Sequence, residues 1–268
     1  MAPTGGELIA AGLKAQGVAR VFCVPGESYL AVLDALHDGP IAITVARQEG
    51  GAAMMAEAWG KLTGRPGVAL VTRGPGAANA AAGVHVAQQD ATPMVLMIGQ
   101  IARDMRGRDA FQEVDYARMF GGMAKWVAEI DSAARIPEMM SRAWHVAMSG
   151  RPGPVVLALP QDMLVERADV LDAARVEVSD PAPAPRDLAR LANALGEARS
   201  PVIVAGGSRW DQAACDRLAE IAERWQIPVA VTFRRQELID NTHPAYAGEL
   251  TFGPNPALME RMRAADLM

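Results

Sequence analysis

Cysteine is almost missing from this chain. Cys23 and Cys215 are the only two in 268 residues, too few for a disulfide framework, which suits a reducing, cytoplasmic setting. No apolar run approaches the roughly 20 residues of a membrane span. No charged-then-apolar signal opens the chain, so neither export nor a membrane partner is expected. Runs of Lys and Arg are absent too, and the net charge is −5; both argue against a nucleic-acid partner or an acidic membrane surface. The four histidines, His37, His85, His145 and His243, show no metal-ligand spacing with Cys, Asp or Glu. No metal ligand is therefore assigned, and there is no internal repeat.

Half of the residues are hydrophobic and 21% are charged, the balance of a globular protein. The length allows one large core or two smaller ones. Short apolar runs bounded by Gly, Pro and charged residues predict strands over residues 18–24, 41–46, 67–71, 93–98, 125–127 and 155–159. Helical spacing predicts helices over 6–16, 29–37 and 136–148, with one more after each of the strands at 41 and 67. This alternation implies βαβ units with right-handed crossovers and a doubly wound, mostly parallel six-stranded α/β sheet. Residues 99–122 have poor periodicity and dense charge, the marks of a long functional or mobile loop. Residues 175–187 (RVEVSDPAPAPRD) alternate Pro with small residues and predict an extended, semi-rigid linker between a first domain at 1–174 and a second at 188–268. The second repeats an α/β pattern: helices at 188–195, 212–225 and 254–263, strands at 202–205 and 229–232. It stops at Ala265-Asp266-Leu267-Met268, where another strand opens. The expectation is a piece of a longer chain.

The most informative stretch is 44–76, TVARQEGGAAMMAEAWGKLTGRPGVALVTRGPG. Two consecutive strand–turn–helix units bring their strand ends to one edge of a parallel sheet, the carboxyl edge where open α/β sheets bind ligands. One turn carries Glu49; the other carries Gly74-Pro75-Gly76. Taken alone, Glu49 needs no function, because acidic residues complement the dipole at a helix start. The Gly74 loop is open to two readings, a phosphate-binding helix N-terminus or a tight turn. Its spacing matches neither common phosphate fingerprint.

These residues carry a resemblance. RQEGGAAMMAEAWGKLTGRPGVALVTRGPGAAN, together with Val21-Phe22-Cys23-Val24-Pro25-Gly26, DATPMVLMIGQ at 90–100, Asp109-Ala110-Phe111-Gln112-Glu113 and GRPGPVVLALP at 150–160, resembles thiamine-diphosphate enzymes of the acetolactate synthase-like group. The resemblance covers most of the chain and weakens after about residue 200. It implies a pyrimidine-binding domain at 1–174 followed by the start of a Rossmann-like central domain. It implies that Glu49 hydrogen-bonds N1′ of the cofactor's aminopyrimidine ring, favouring the tautomer that accepts the proton from C2 of the thiazolium. Such a glutamate should be sheltered from water. Pro25, Gly26, Thr72, Pro75 and Asn79 are implied to pack around that ring. Phe111 and Gln112 are implied beside the reacting centre, and Lys125 near a substrate channel; without the resemblance these would be a packing anchor, a solvated amide and a surface charge.

The implied reaction is decarboxylation of a 2-oxo acid, with or without transfer to a second carbonyl, in at least a homodimer, as a homodimer or homotetramer. Mg²⁺ ligands are implied in a further domain outside 1–268, so the segment by itself is expected to be inactive. Glu27 departs from the acetolactate synthases, where a second glycine is usual. Phe233 to Glu237 and Gly248 to Gly253 depart from the family's flavin-contacting segments, so FAD is not expected. His85, where the family has a small residue, reads as structural, and Met54-Met55 and Met139-Met140 as core filler. The rival readings are a simple 2-oxo acid or oxalyl-CoA-type decarboxylase, a nucleotide-binding module with an anion at the Gly74 loop, and a non-catalytic scaffold.

Overall fold

The computed structural model describes residues 1–179 and 181–268, which form two compact units, Met1–Ser179 and Asp180–Met268. In the first, α1 (Gly5–Ala15) starts at a capping box, with Thr4 and Glu7 satisfying each other's backbone N–H. There follow β1 (Arg20–Cys23), α2 (Leu30–His37), β2 (Ala42–Val45), α3 (Glu49–Thr63), β3 (Gly67–Val71), α4 (Pro75–Asp90) and β4 (Met94–Gln100). The unit is completed by α5 (Tyr116–Phe120), β5 (Trp126–Glu129), α6 (Ile136–Met148) and β6 (Pro154–Pro160). The six strands form one sheet in the order β2-β1-β3-β4-β6-β5, and every pairing is parallel.

Alternate side chains leave a strand on opposite faces, and here both faces are covered. Val68 and Leu70 of β3, Val95 and Met97 of β4, and Val155 and Leu157 of β6 join Leu8, Leu13, Leu36, Met140 and Trp144 from α1, α2 and α6. Their neighbours Ala69, Val71, Leu96, Ile98 and Val156 join Ala52, Ala56, Ala80 and Val84 from α3 and α4. A strand buried on both faces reads as a continuous apolar run, which is why β3, β4 and β6 were visible in the sequence. The loop expected over 99–122 is partly ordered: β4 runs to Gln100, and α5, capped by Asp115, anchors Tyr116 and Phe120 in the core.

In the second unit, α7 (Pro185–Glu197), β7 (Ile203–Ala205), α8 (Gln212–Trp225), β8 (Val229–Thr232), β9 (Tyr246–Leu250) and α9 (Pro256–Ala264) surround a parallel three-stranded sheet in the order β7-β8-β9. Strand β9 was not anticipated. It contains Gly248 at φ 117°, its register slips against Val229/Ala230, and every residue is only half-buried. The strand opening expected at 265–268 appears as one parallel bridge, Pro201 to Leu267.

The stretch 175–187 is not linker throughout. Gln16 donates to the Ala174 carbonyl at 3.0 Å and accepts from the Val176 N–H at 2.9 Å, and Val176 and Val178 pack on the first unit's core. At the other end α7 opens at Pro185, a first-turn position where a missing N–H costs nothing. Asp180, within that stretch, lies outside the described residues. Among the described residues, no helix is long and apolar enough to cross a membrane.

Candidate functional site

The site lies at the carboxyl edge of the first sheet, where the turns after β1, β2 and β3 converge. Glu49 is the first residue of α3, directly after the N-cap Gln48, whose side-chain oxygen accepts from the Gly51 N–H at 3.0 Å. Helix α4 begins with Gly74 as N-cap and Pro75 in the first turn. These two helices approach closely, because Gly83 faces Ala53: a Cβ added there would lie 2.5 Å from the Ala53 Cβ. Their N-termini are thereby brought side by side, and Asn79 Nδ2 donates to Glu49 Oε2 at 2.9 Å. Glu49 is half-buried, so its shelter is partial in one chain.

Thr72, the residue after β3, sits between two glycines. A Cβ at Gly26 would lie 2.6 Å from the Thr72 Cβ, and one at Gly76 would lie 2.9 Å from its Cγ2 and 3.4 Å from Glu49 Oε1. Only glycine lets the backbone close on Thr72 from both sides, and this tight turn with Glu49 beside it forms the cradle. Thr72 Oγ1 also shares a 2.8 Å hydrogen bond with Ser28 Oγ. Beneath the cradle the buried Tyr29 hydroxyl donates to the carbonyls of Val24 at 2.5 Å and Leu70 at 3.3 Å. Burial foremost, then the neighbouring Cys23 and Glu49, pushes that hydroxyl's pKa far above the ordinary tyrosine range.

The Gly74 turn is shaped from the loop that follows β4. Gly74 has φ 59° and Gln112 has φ 65°; a Cβ at Gly74 would lie 2.8 Å from that of Gln112. A non-glycine residue held in the left-handed region costs energy and concentrates at functional sites. Glu113 folds this loop by accepting from the N–H groups of Gly107 at 2.7 Å and Ala110 at 3.2 Å. The Gly74 N–H is already taken by the buried Tyr116 hydroxyl at 3.0 Å, which weakens the reading of this turn as an anion nest. Burial raises the Tyr116 pKa, with the Gly74 N–H and Arg73 pulling the other way.

Glu49, Asn79, Thr72, Gly26 and Gln112 thus converge on one edge, while Pro25, Pro75 and Phe111 stand exposed around it, Phe111 at 76%. Lys125, expected near a substrate channel, does not join them in this chain. It precedes β5, at the amino end of a parallel strand, and its ammonium donates to the carbonyls of Val146 and Ser149 at the end of α6. Capping a helix C-terminus is the ordinary use of such a lysine, and burial followed by the charge of Arg151 lowers its pKa. His85 is exposed on α4. Tyr116, Ser28 and Arg73 were not singled out by sequence reasoning. Nothing in the spacing distinguishes Tyr116 from a packing residue in a charged loop. Among the described residues, no group of three or more His, Cys, Asp or Glu is placed to hold a metal ion.

Comparison with known proteins adds the family. Residues 3–119 match the family described as "Thiamine pyrophosphate enzyme, N-terminal TPP binding domain", and residues 188–268 match its central domain. The chain is 32% identical to the acetolactate synthase isozyme 2 large subunit of Escherichia coli over 267 residues, covering 98% of this chain and 48% of that protein. It is 35% identical to acetolactate synthase of Bacillus subtilis over 231 residues, 86% of this chain and 40% of the relative. A third acetolactate synthase, from Arthrospira platensis, is 32% identical over 255 residues, 91% and 44%. The chain spans less than half the length of these relatives.

Proposed function

Because the chain belongs to the thiamine pyrophosphate enzymes, we propose that it serves thiamine-diphosphate-dependent decarboxylation of a 2-oxo acid, with or without transfer to a second carbonyl, as in the acetolactate synthases it resembles. The observation that carries this reading is the cradle itself. A carboxylate held by Asn79 at 2.9 Å stands beside a threonine flanked by two glycines, on which the backbone packs too closely for any side chain. An aminopyrimidine fits that donor set. When bound, the cofactor would supply a nucleophilic carbon, chemistry that these side chains lack.

The residues of this chain have simpler tasks. Glu49 would hold the proton at ring atom N1′, with Oε2 steadied by Asn79 and Oε1 beside Gly76. Thr72, Pro75 and Asn79 with the Gly74 turn would pack on one side of the ring, and Pro25 and Gly26 on the other. Gln112, held by its left-handed backbone against Gly74, would stand with Phe111 beside the reacting centre. Residues 1–174 act as the pyrimidine-binding domain and 188–268 as the start of a central domain. A second copy of the chain completes the site, because one chain leaves Glu49 half-exposed and Phe111 open to water. The Mg²⁺ ligands are proposed to lie outside 1–268.

Glu49→Gln tests the assignment in the full-length protein. It preserves size and hydrogen-bonding reach but cannot exchange a proton with N1′. Deuterium exchange at C2 of bound cofactor, followed by NMR, should slow by about 10²–10⁴, the usual worth of positioned general acid–base catalysis. His85→Ala, outside the cradle, should leave exchange at the wild-type rate. Wild-type exchange in Glu49→Gln would remove the base from the mechanism.

A further inference from the structure

Two charged residues at the same edge have no part in the reading above. Arg73 follows Thr72 and is buried, with only 10% of its side chain exposed. One nitrogen donates to Glu27 Oε1 at 2.9 Å and another reaches Gln161 Oε1 at 3.4 Å. Its Nε is buried without a hydrogen-bond partner. Glu27, two residues after Pro25, has 69% of its side chain exposed, and its Oε2 has no partner among the described residues.

As a stabilising device this pair is poor. A buried guanidinium costs several kcal/mol in desolvation unless it is fully paired, and an orphaned N–H adds to that. The partner that should compensate is mostly in water, where an ion pair contributes little. Its geometry does achieve something else. A buried arginine, braced from the loop after β6 by Gln161, holds one oxygen of Glu27 still and leaves the other facing outward. The result is a fixed anionic hydrogen-bond acceptor next to Gly26, which packs on Thr72 in the cradle wall.

We propose that Glu27, positioned by Arg73, is a specificity-determining residue that selects substrates carrying a hydrogen-bond donor, a hydroxyl or an ammonium, on the carbon chain of the 2-oxo acid or its carbonyl acceptor. This deepens the thiamine diphosphate reading and rests on it. A charged acceptor held in place by Arg73 favours a substrate that brings a donor to it, by the worth of one charge-assisted hydrogen bond. The same fixed charge disfavours a substrate with a second carboxylate. The glycine usual at this position in acetolactate synthases can do neither.

The test uses the full-length protein loaded with thiamine diphosphate and Mg²⁺, with matched substrates: pyruvate against 3-hydroxypyruvate, and 2-oxobutanoate against 4-hydroxy-2-oxobutanoate. In at least one pair the wild type should prefer the hydroxylated acid in kcat/KM by about 10- to 100-fold, the worth of a hydrogen bond to a charged group. Glu27→Gln, which keeps the shape, should erase at least a tenfold part of that preference. So should the double variant Glu27→Ala/Arg73→Met, which leaves no unpaired charge behind. A wild type that prefers the unhydroxylated acids, or shows no preference, overturns the proposal. So does a preference that survives in both variants. Deuterium exchange at C2 in the same wild-type sample separates the two levels: exchange without the preference sinks only the role of Glu27, whereas no exchange sinks the cofactor reading and this inference together.

Discussion

Tyr116 illustrates how single atoms hold the edge in shape. Its ring is buried beside Phe120, with centroids 6.3 Å apart, and its hydroxyl is the acceptor for the Gly74 N–H. Removing that oxygen leaves a buried backbone donor without a partner, which costs about 1–3 kcal/mol. Tyr116→Phe should therefore lower unfolding free energy by about that amount in urea titrations, with an unchanged m-value. A loss below about 0.3 kcal/mol would mean that the Gly74 N–H has found water, and that the turn is more open than the 3.0 Å bond implies. Glu49 is the complementary case: its backbone position follows from a helix start, but its partner Asn79 lies 30 residues away.

At the level of elements, the site depends on how closely α3 and α4 pack. Their contact face is built from Ala52, Ala53, Ala56, Ala77, Ala80, Gly83 and Ala87, and small residues allow two backbones to approach. Gly83→Val places branched carbon where the Ala53 side chain already stands. Overpacking of this kind costs about 1–3 kcal/mol, so the variant should show a lower urea midpoint. It should also separate the helix starts and stretch the Asn79–Glu49 bond, slowing C2 exchange. An unchanged midpoint would mean that the helices move apart freely and that the glycine is not what fixes their spacing.

For the whole molecule, α3 also presents an outer face. Gly51, Met54, Ala58 and Leu62 recur at helical spacing and are exposed, Leu62 at 81% and Met54, expected in the core, at 40%. A continuous apolar stripe beside a half-exposed Glu49 is the surface expected to meet the second copy proposed above. Met54→Glu should then shift the full-length protein toward monomer in sedimentation velocity at micromolar concentration. Sedimentation identical to wild type would exclude this stripe as the contact.

Several features were legible from sequence because they are consequences of local chemistry. Doubly buried strands must be apolar throughout, so β3, β4 and β6 stood out, and the turns after β2 and β3 followed from Glu49 at a helix start and from Gly74-Pro75-Gly76. Parallel topology followed from the alternation of strand and helix, and the cofactor class came from the resemblance carried by the motifs around those turns. Local pattern was silent wherever one residue's meaning depended on another far along the chain. β9 gains its identity from pairing with β8 and not from apolar alternation. Lys125 was placed by strand direction, which puts it at the amino edge and hands its charge to the end of α6. Arg73 and Glu27, 46 residues apart, became a pair only when β1 and β3 came to lie side by side. Sequence pattern determines which segments can be buried and where the chain must turn. Only the packed sheet decides which of those turns share an edge, because hydrogen-bonded strand order brings together side chains that no periodicity connects.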